Sequence, residues 1–180
     1  MRTDKVVHFV WFETSLDSDQ FINKWEHYTR SVNSDADVTL QGSKRNNMFK
    51  YVAQHRCDST QFQFLFTKAA KSTRSKETEI KTKQIGGYSI LHKERTHEAS
   101  TGEDKVFAFL IRPDADLDFY QQLQVPKKLN IYGAYYENCA YAYILEFFVK
   151  HEYVSELVER LKQHSTVEVG IYKECVLHAV

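Results

Sequence analysis

The 180-residue chain predicts an α+β protein made of two consecutive β-α-β-β-α-β units, each an antiparallel sheet with two helices on one face. Three observations carry that prediction. "DKVVHFVWF" (4–12) and "DKVFAFLIR" (104–112) both open with Asp-Lys-Val and continue as apolar strands of equal length. "MFKYVAQHRC" (48–57) lies over "AYAYILEFFV" (140–149), which pairs Phe49 with Tyr141, Tyr51 with Tyr143 and Val52 with Ile144. The order of helical and extended patterns around these landmarks is also the same in both halves. The two matches differ in offset, 100 against 92 positions, so the second copy is shorter in helix and loop, where deletions are tolerated.

Each element has a local cause. In the first copy, strand 5–13 leads to "LDSDQFINKWEHYTRSV", which Asp17 or Ser18 can cap and in which Phe21, Trp25, Tyr28 and Val32 recur at helical spacing. "DVTLQG" and "MFKYVAQHRC" read as strands joined by the polar turn "SKRNN". "DSTQFQFLFTKAAK" predicts a second helix starting near Ser59 or Thr60, and "KQIGGYSILHKE" holds the last strand, with Gly86-Gly87 expected as a bulge or tight bend. In the second copy, "DLDFYQQLQ" is a short helix stopped by Pro126, and "LNIYGAYY" with "YAYILEFFV" forms a hairpin around "ENC". "YVSELVERLKQH" has Val154, Leu157, Val158 and Leu161 on one face, and "VEVGIYKECVLHAV" closes as a strand. The polar stretch around Gly102 separates the copies: residues 1–95 form the first unit, 96–103 a linker and 104–180 the second.

This order is the split βαβ, or ferredoxin-like, unit. Two of them in one chain resemble the dimeric α+β barrel superfamily, in which two such units close a barrel between their sheets; here the pair is fused, or pairs again with a second subunit as a homodimer. That superfamily contains cofactor-independent monooxygenases, haem-handling enzymes and proteins without known chemistry. The resemblance is one of architecture, so it implies a monooxygenase-like, small-molecule-binding protein without carrying over a catalytic residue.

Composition narrows the classes. Hydrophobic residues make up 42% and aromatics 14%, enough for a packed core, while 24 basic and 24 acidic side chains leave no general attraction to nucleic acid or anionic membrane. No apolar run approaches a membrane span or a signal peptide, and Cys57, Cys139 and Cys175 lack metal-ligand spacing, which reads as a cytoplasmic protein with reduced thiols. His-Glu-x-x-His, Cys-x-x-Cys, Gly-x-Ser-x-Gly and phosphate loops are absent, so no metal is expected and no cofactor can be named.

The aromatic faces hold the functional expectations. Alternation puts Val7, Phe9 and Trp11 on one side of the first strand, matching Phe107 and Phe109, with His8 on the side facing the helices. On the third strands it aligns Phe49, Tyr51, Ala53 and His55, matching Tyr141, Tyr143, Leu145 and Phe147. Because large aromatics suit the roomier open face, Trp11, Tyr51, Tyr143 and Phe147 are expected to line a cavity for a small hydrophobic or aromatic ligand, and His55 is the candidate for proton transfer or haem ligation. "CAYAYILE" resembles the third strand of the RNA recognition motif at Tyr141, Ala142, Tyr143 and Ile144, yet it lacks the leading basic-Gly pair and the final aromatic. The competing expectation is an interaction or structural module whose aromatic faces simply bury each other.

Overall fold

The computed structural model describes residues 6–32, 36–44, 49–58, 60–63, 79–95, 99–164 and 167–177. In chain order these form β1 (Val6–Thr14), α1 (Ser18–Val32), β2 (Val38–Ser43), β3 (Tyr51–Cys57), β4 (Ile80–Lys93), β5 (Glu103–Leu110), α2 (Leu117–Gln121), β6 (Lys128–Ala134), β7 (Tyr143–Lys150), α3 (Val154–Gln163) and β8 (Val167–Glu174). The strands close into one antiparallel barrel in the order β1-β3-β2-β8-β5-β7-β6-β4. Its first half runs 4-1-3-2 and its second 8-5-7-6, the strand order of two ferredoxin-like sheets. The sheets join edge to edge, β2 on β8 and β4 on β6, so none of these eight strands is left with a bare edge.

Short-range chemistry starts the helices. Asp17 accepts from the Gln20 N–H at 2.9 Å ahead of α1, and Asp116 accepts from Asp118 and Phe119 ahead of α2. Residues 60–63 are helical, and their cap is Asp58, whose Oδ1 accepts from the Gln61 N–H at 2.8 Å. The remainder of that expected helix, with most of the Lys/Arg run after it, lies outside the described residues.

Three apolar clusters hold the fold. Under α1, Val10, Phe12, Phe21, Trp25, Leu40, Tyr51 and Ala53 pack between sheet and helix. Under α2 and α3, a larger aliphatic cluster includes Val106, Ala108, Leu145, Phe147, Leu157 and Leu161. The barrel interior is aromatic, with Phe9, Trp11, Phe49, Tyr88, Phe107, Phe109, Tyr132, Tyr141 and Tyr172. Its rings touch: Phe9 meets Tyr88 at 5.5 Å, Phe107 at 6.2 Å and Tyr132 at 5.2 Å between centroids, all edge to face.

The first strands face as the sequence predicts. The third strands do not. β1–β3 pairing sets Phe9 opposite Gln54 and Trp11 opposite Val52, so the inward residues of β3 are Val52 and Gln54. Tyr51, Ala53 and His55 therefore face the helices. β5–β7 pairing likewise turns Ile144 and Glu146 inward and Tyr143, Leu145 and Phe147 outward. The reason lies just upstream. Phe49 and Tyr141 do reach the interior, but from irregular backbone before each strand, and alternation restarts with opposite phase at Tyr51 and Tyr143. Gly86 and Gly87 are not a bulge either; the register shifts lie at Lys83, between the partners of Trp11 and Phe12, and at Leu91, between Ile90 and His92. They are glycines because a Cβ on Gly86 would lie 2.6 Å from the Tyr88 ring, and one on Gly87 2.5 Å from Tyr136.

Candidate ligand site in the barrel interior

The interior changes character from one end to the other. At one end it is polar. Lys105 on β5 and Glu146 on β7 are fully buried, their Nζ and Oε2 3.6 Å apart, and Glu174 on β8 stands 3.7 Å from the same ammonium. Gln54 donates to Glu146 at 2.7 Å from across the barrel, and Asn130 and Tyr132 both donate to its other oxygen at 3.0 Å. The amide of Gln41 touches this group in either orientation: its nitrogen donates to Gln54 at 2.9 Å, or, turned over, its oxygen accepts from Lys105 at 3.1 Å.

Described residues of the connection between β4 and β5, Glu94, Arg95 and Ala99, bond across this end. Asn130 Oδ1 accepts from the Glu94 and Arg95 N–H groups at 3.0 and 3.2 Å, and the Ala99 N–H donates to Glu174 at 2.9 Å. Arg95, which also pairs with Glu103, lies 5.1 Å from the Phe148 ring centroid, while Lys105 approaches the same ring at 5.3 Å. A buried ion pair satisfied on this many sides fixes register and partner strands, because any slip would strand a charge in the interior. Glu146 is bonded by both halves of the barrel, which ties one sheet to the other.

The opposite end of the barrel, its mouth, is packed with aromatic rings that are themselves buried. Trp11 meets Phe49, Phe109 and Tyr141 at centroid distances of 6.0, 5.9 and 5.7 Å. Tyr141 donates its hydroxyl to Glu168 on β8 at 2.9 Å and sits beside the side-chain amide of Gln84. Burial and then the Glu168 carboxylate push the Tyr141 phenol well above its usual range; burial does the same for Tyr172. Two polar atoms here are buried without a hydrogen-bond partner among the described residues: Trp11 Nε1, a donor, and Gln84 Oε1, an acceptor. Trp11 and Gln84 are direct partners across β1 and β4, so the donor and the acceptor come from neighbouring positions. Leaving such groups unmet costs about 1–3 kcal/mol each, and native interiors rarely tolerate it.

Of the expected site residues, Trp11 is the one at this mouth. Tyr51 faces α1, stacks on Phe21 at 4.0 Å and donates to Ser18. Tyr143 donates to the Pro113 carbonyl at 3.0 Å on the outside, and Phe147 lies in the aliphatic cluster under α3. His55 pairs with His8 in the β1–β3 register, on the helix side, with Trp25 and Phe62 each 6.2 Å from its ring. Burial lowers both imidazoles to about 4, so they are neutral at pH 7. The sheet separates His55 from the interior, so it cannot pass a proton to a molecule held there. Sequence reasoning missed Gln54, Gln84, Lys105, Glu146 and Glu168. For Gln54 and Glu146 a signal existed: they occupy matched positions in the two copies, each polar in the middle of an apolar strand.

No protein-family model matches the chain, and no curated protein matches it in sequence. Solved structures do. A doubly substituted chlorite dismutase from Candidatus Nitrospira defluvii superposes with a TM-score of 0.59 at 10% identity, over 96% of this chain and 93% of the other. The same enzyme in complex with imidazole gives 0.58 at 9% identity, over 96% and 92%. The fold is that of the dimeric α+β barrels. At such identity the likeness shows the fold alone.

Haem-handling members of that superfamily raise the question of fit. Phe62 stacks flat on His8 at 3.6 Å and also stands beside His55, so a ring already fills the layer a porphyrin on either nitrogen would need. In the second half the corresponding layer is packed with aliphatic and aromatic side chains, and the histidine at its edge, His164, has the Phe119 ring 3.7 Å from its own and Tyr120 at 5.9 Å, so rings already occupy the space beside it. The described residues do not fit the group, and no step is derived through it.

Proposed function

We propose that the protein binds a small, flat aromatic molecule at the mouth formed by Trp11, Gln84, Tyr141 and Glu168. The single observation that carries this is the orphaned pair, Trp11 Nε1 and Gln84 Oε1, set among aromatic rings. One hydroxyl on a ligand ring can accept from the indole N–H and donate to the amide oxygen, satisfying both. The rings supply apolar contact, and the Tyr141–Glu168 hydrogen bond holds the mouth's polar edge in place. The complex of a chlorite dismutase with imidazole supports the class of ligand on this fold, a small ring, without locating the site here. A plain core remains the reading for the waist of the barrel, where Phe9, Phe107 and Tyr132 fill one another's space.

Calorimetric titration with 2-naphthol tests the reading. The expected result is one site with a dissociation constant below about 1 mM, weakened roughly tenfold by Trp11→Phe, which keeps most of the ring and removes the N–H. Naphthalene binding as tightly as 2-naphthol, or no binding of either, would overturn it.

A further inference from the structure

The hydrogen bonds at the mouth run in one direction. A phenol has a single hydrogen to give, and Tyr141 gives its own to the Glu168 carboxylate at 2.9 Å. What the phenol oxygen keeps is a lone pair, and the side-chain amide of Gln84 bonds to that oxygen. Only the nitrogen end of the amide can do so, since its carbonyl would set oxygen against oxygen. The orphaned atom agrees. It is Gln84 Oε1, not the nitrogen, that is buried without a partner among the described residues. Gln41 at the polar end behaves differently: its amide finds partners either way up, so nothing there holds one orientation.

Resting on the reading of the mouth as a ligand site, we infer that Glu168 and Tyr141 are positioning residues that set its hydrogen-bond polarity, so that the ligand's polar group must donate as well as accept. Glu168 fixes the hydrogen of Tyr141, Tyr141 fixes the amide of Gln84, and the amide carbonyl is left to take a donor. Trp11, the direct partner of Gln84 across β1 and β4, offers an indole N–H and so asks for an acceptor. A ring hydroxyl answers both, as does a lactam edge with its N–H beside its C=O. An ether or an N-alkylated lactam answers Trp11 alone and leaves the Gln84 carbonyl stranded, which costs binding.

Equilibrium dialysis of two probes on one ring system tests this: 2-naphthol, which donates and accepts, and 2-methoxynaphthalene, which only accepts. Each is measured against the parent protein, Tyr141→Phe and Glu168→Leu. The parent should prefer 2-naphthol by at least about tenfold. Without the phenol, or without the carboxylate that fixes its hydrogen, the amide is free to turn its N–H toward the ligand. The preference should then fall below about threefold in whichever variants remain folded. The added methyl group is the same in every protein, so its bulk cancels in the change of ratio. An ether that binds the parent as tightly as 2-naphthol, or a preference unchanged in the folded variants, overturns the polarity inference while the binding site stands. Failure of both probes to bind the parent overturns the site itself.

Discussion

The two ends of the barrel handle buried polarity in opposite ways. At the polar end Glu146 accepts from Gln54, Asn130 and Tyr132 and faces Lys105, under a connection that bonds to Asn130 and Glu174. At the mouth, Trp11 and Gln84 carry a donor and an acceptor with nothing to meet them among the described residues. Both ends are built from the same strands. What separates them is completion: a finished network specifies structure, whereas an unfinished one keeps interaction energy for something outside the chain.

The largest effect should come from breaking the finished network. Glu146→Ala leaves Lys105 buried without its main counter-charge and should cost about 3–5 kcal/mol in urea unfolding. The double replacement Lys105→Met/Glu146→Leu should recover only part of that loss, since it removes the stranded ammonium but still leaves the Gln54, Asn130 and Tyr132 donors without Glu146. The part recovered reports the stranded charge, and the part that stays lost reports the hydrogen bonds to Glu146.

Acid should act on a third region, outside the barrel. His8 and His55 are held at about 4 in the folded state against 6.5 when free, so the unfolded chain binds more protons between those values. Stability should fall as pH drops from about 6.5 toward 4 and level off below. The loss is about 2 kcal/mol per histidine after allowing for solvent screening. His8→Phe should reduce the slope of that curve across the whole window by roughly half; an unchanged pH profile in the variant would contradict the assignment.

Much of this was legible in the residues. Equal first strands, matched third strands and the stripe of Val154, Leu157 and Leu161 predict the barrel's elements, and the inward face of Val7, Phe9 and Trp11 follows from alternation. The third-strand face was not legible, because the phase of β3 and β7 is set by irregular backbone at Lys50 and at 140–142, which side-chain size cannot reveal. Large rings do pack under helices here: Tyr51 meets Phe21, and Phe147 meets the cluster under α3. The polar network was hidden for another reason. Gln54 and Glu146 are 92 positions apart, and Gln84 is unmet only because of what surrounds it, facts of three-dimensional packing that no local pattern encodes.

The comparison reduces to two glutamines on inward strand faces. Gln54 belongs to the finished network, so Gln54→Leu should destabilise by about 2 kcal/mol by leaving Glu146 and Gln41 short of a partner. Gln84→Leu removes an acceptor that has no partner together with the amide's contact to the Tyr141 hydroxyl, so the loss should stay below about 1 kcal/mol. The most direct measurement is therefore urea unfolding of these two variants beside the parent protein. A clearly larger loss for Gln54→Leu than for Gln84→Leu is what the account predicts. Equal losses, or a larger loss for Gln84→Leu, would mean that the mouth is as finished as the other end, and the case for a ligand there would go with it.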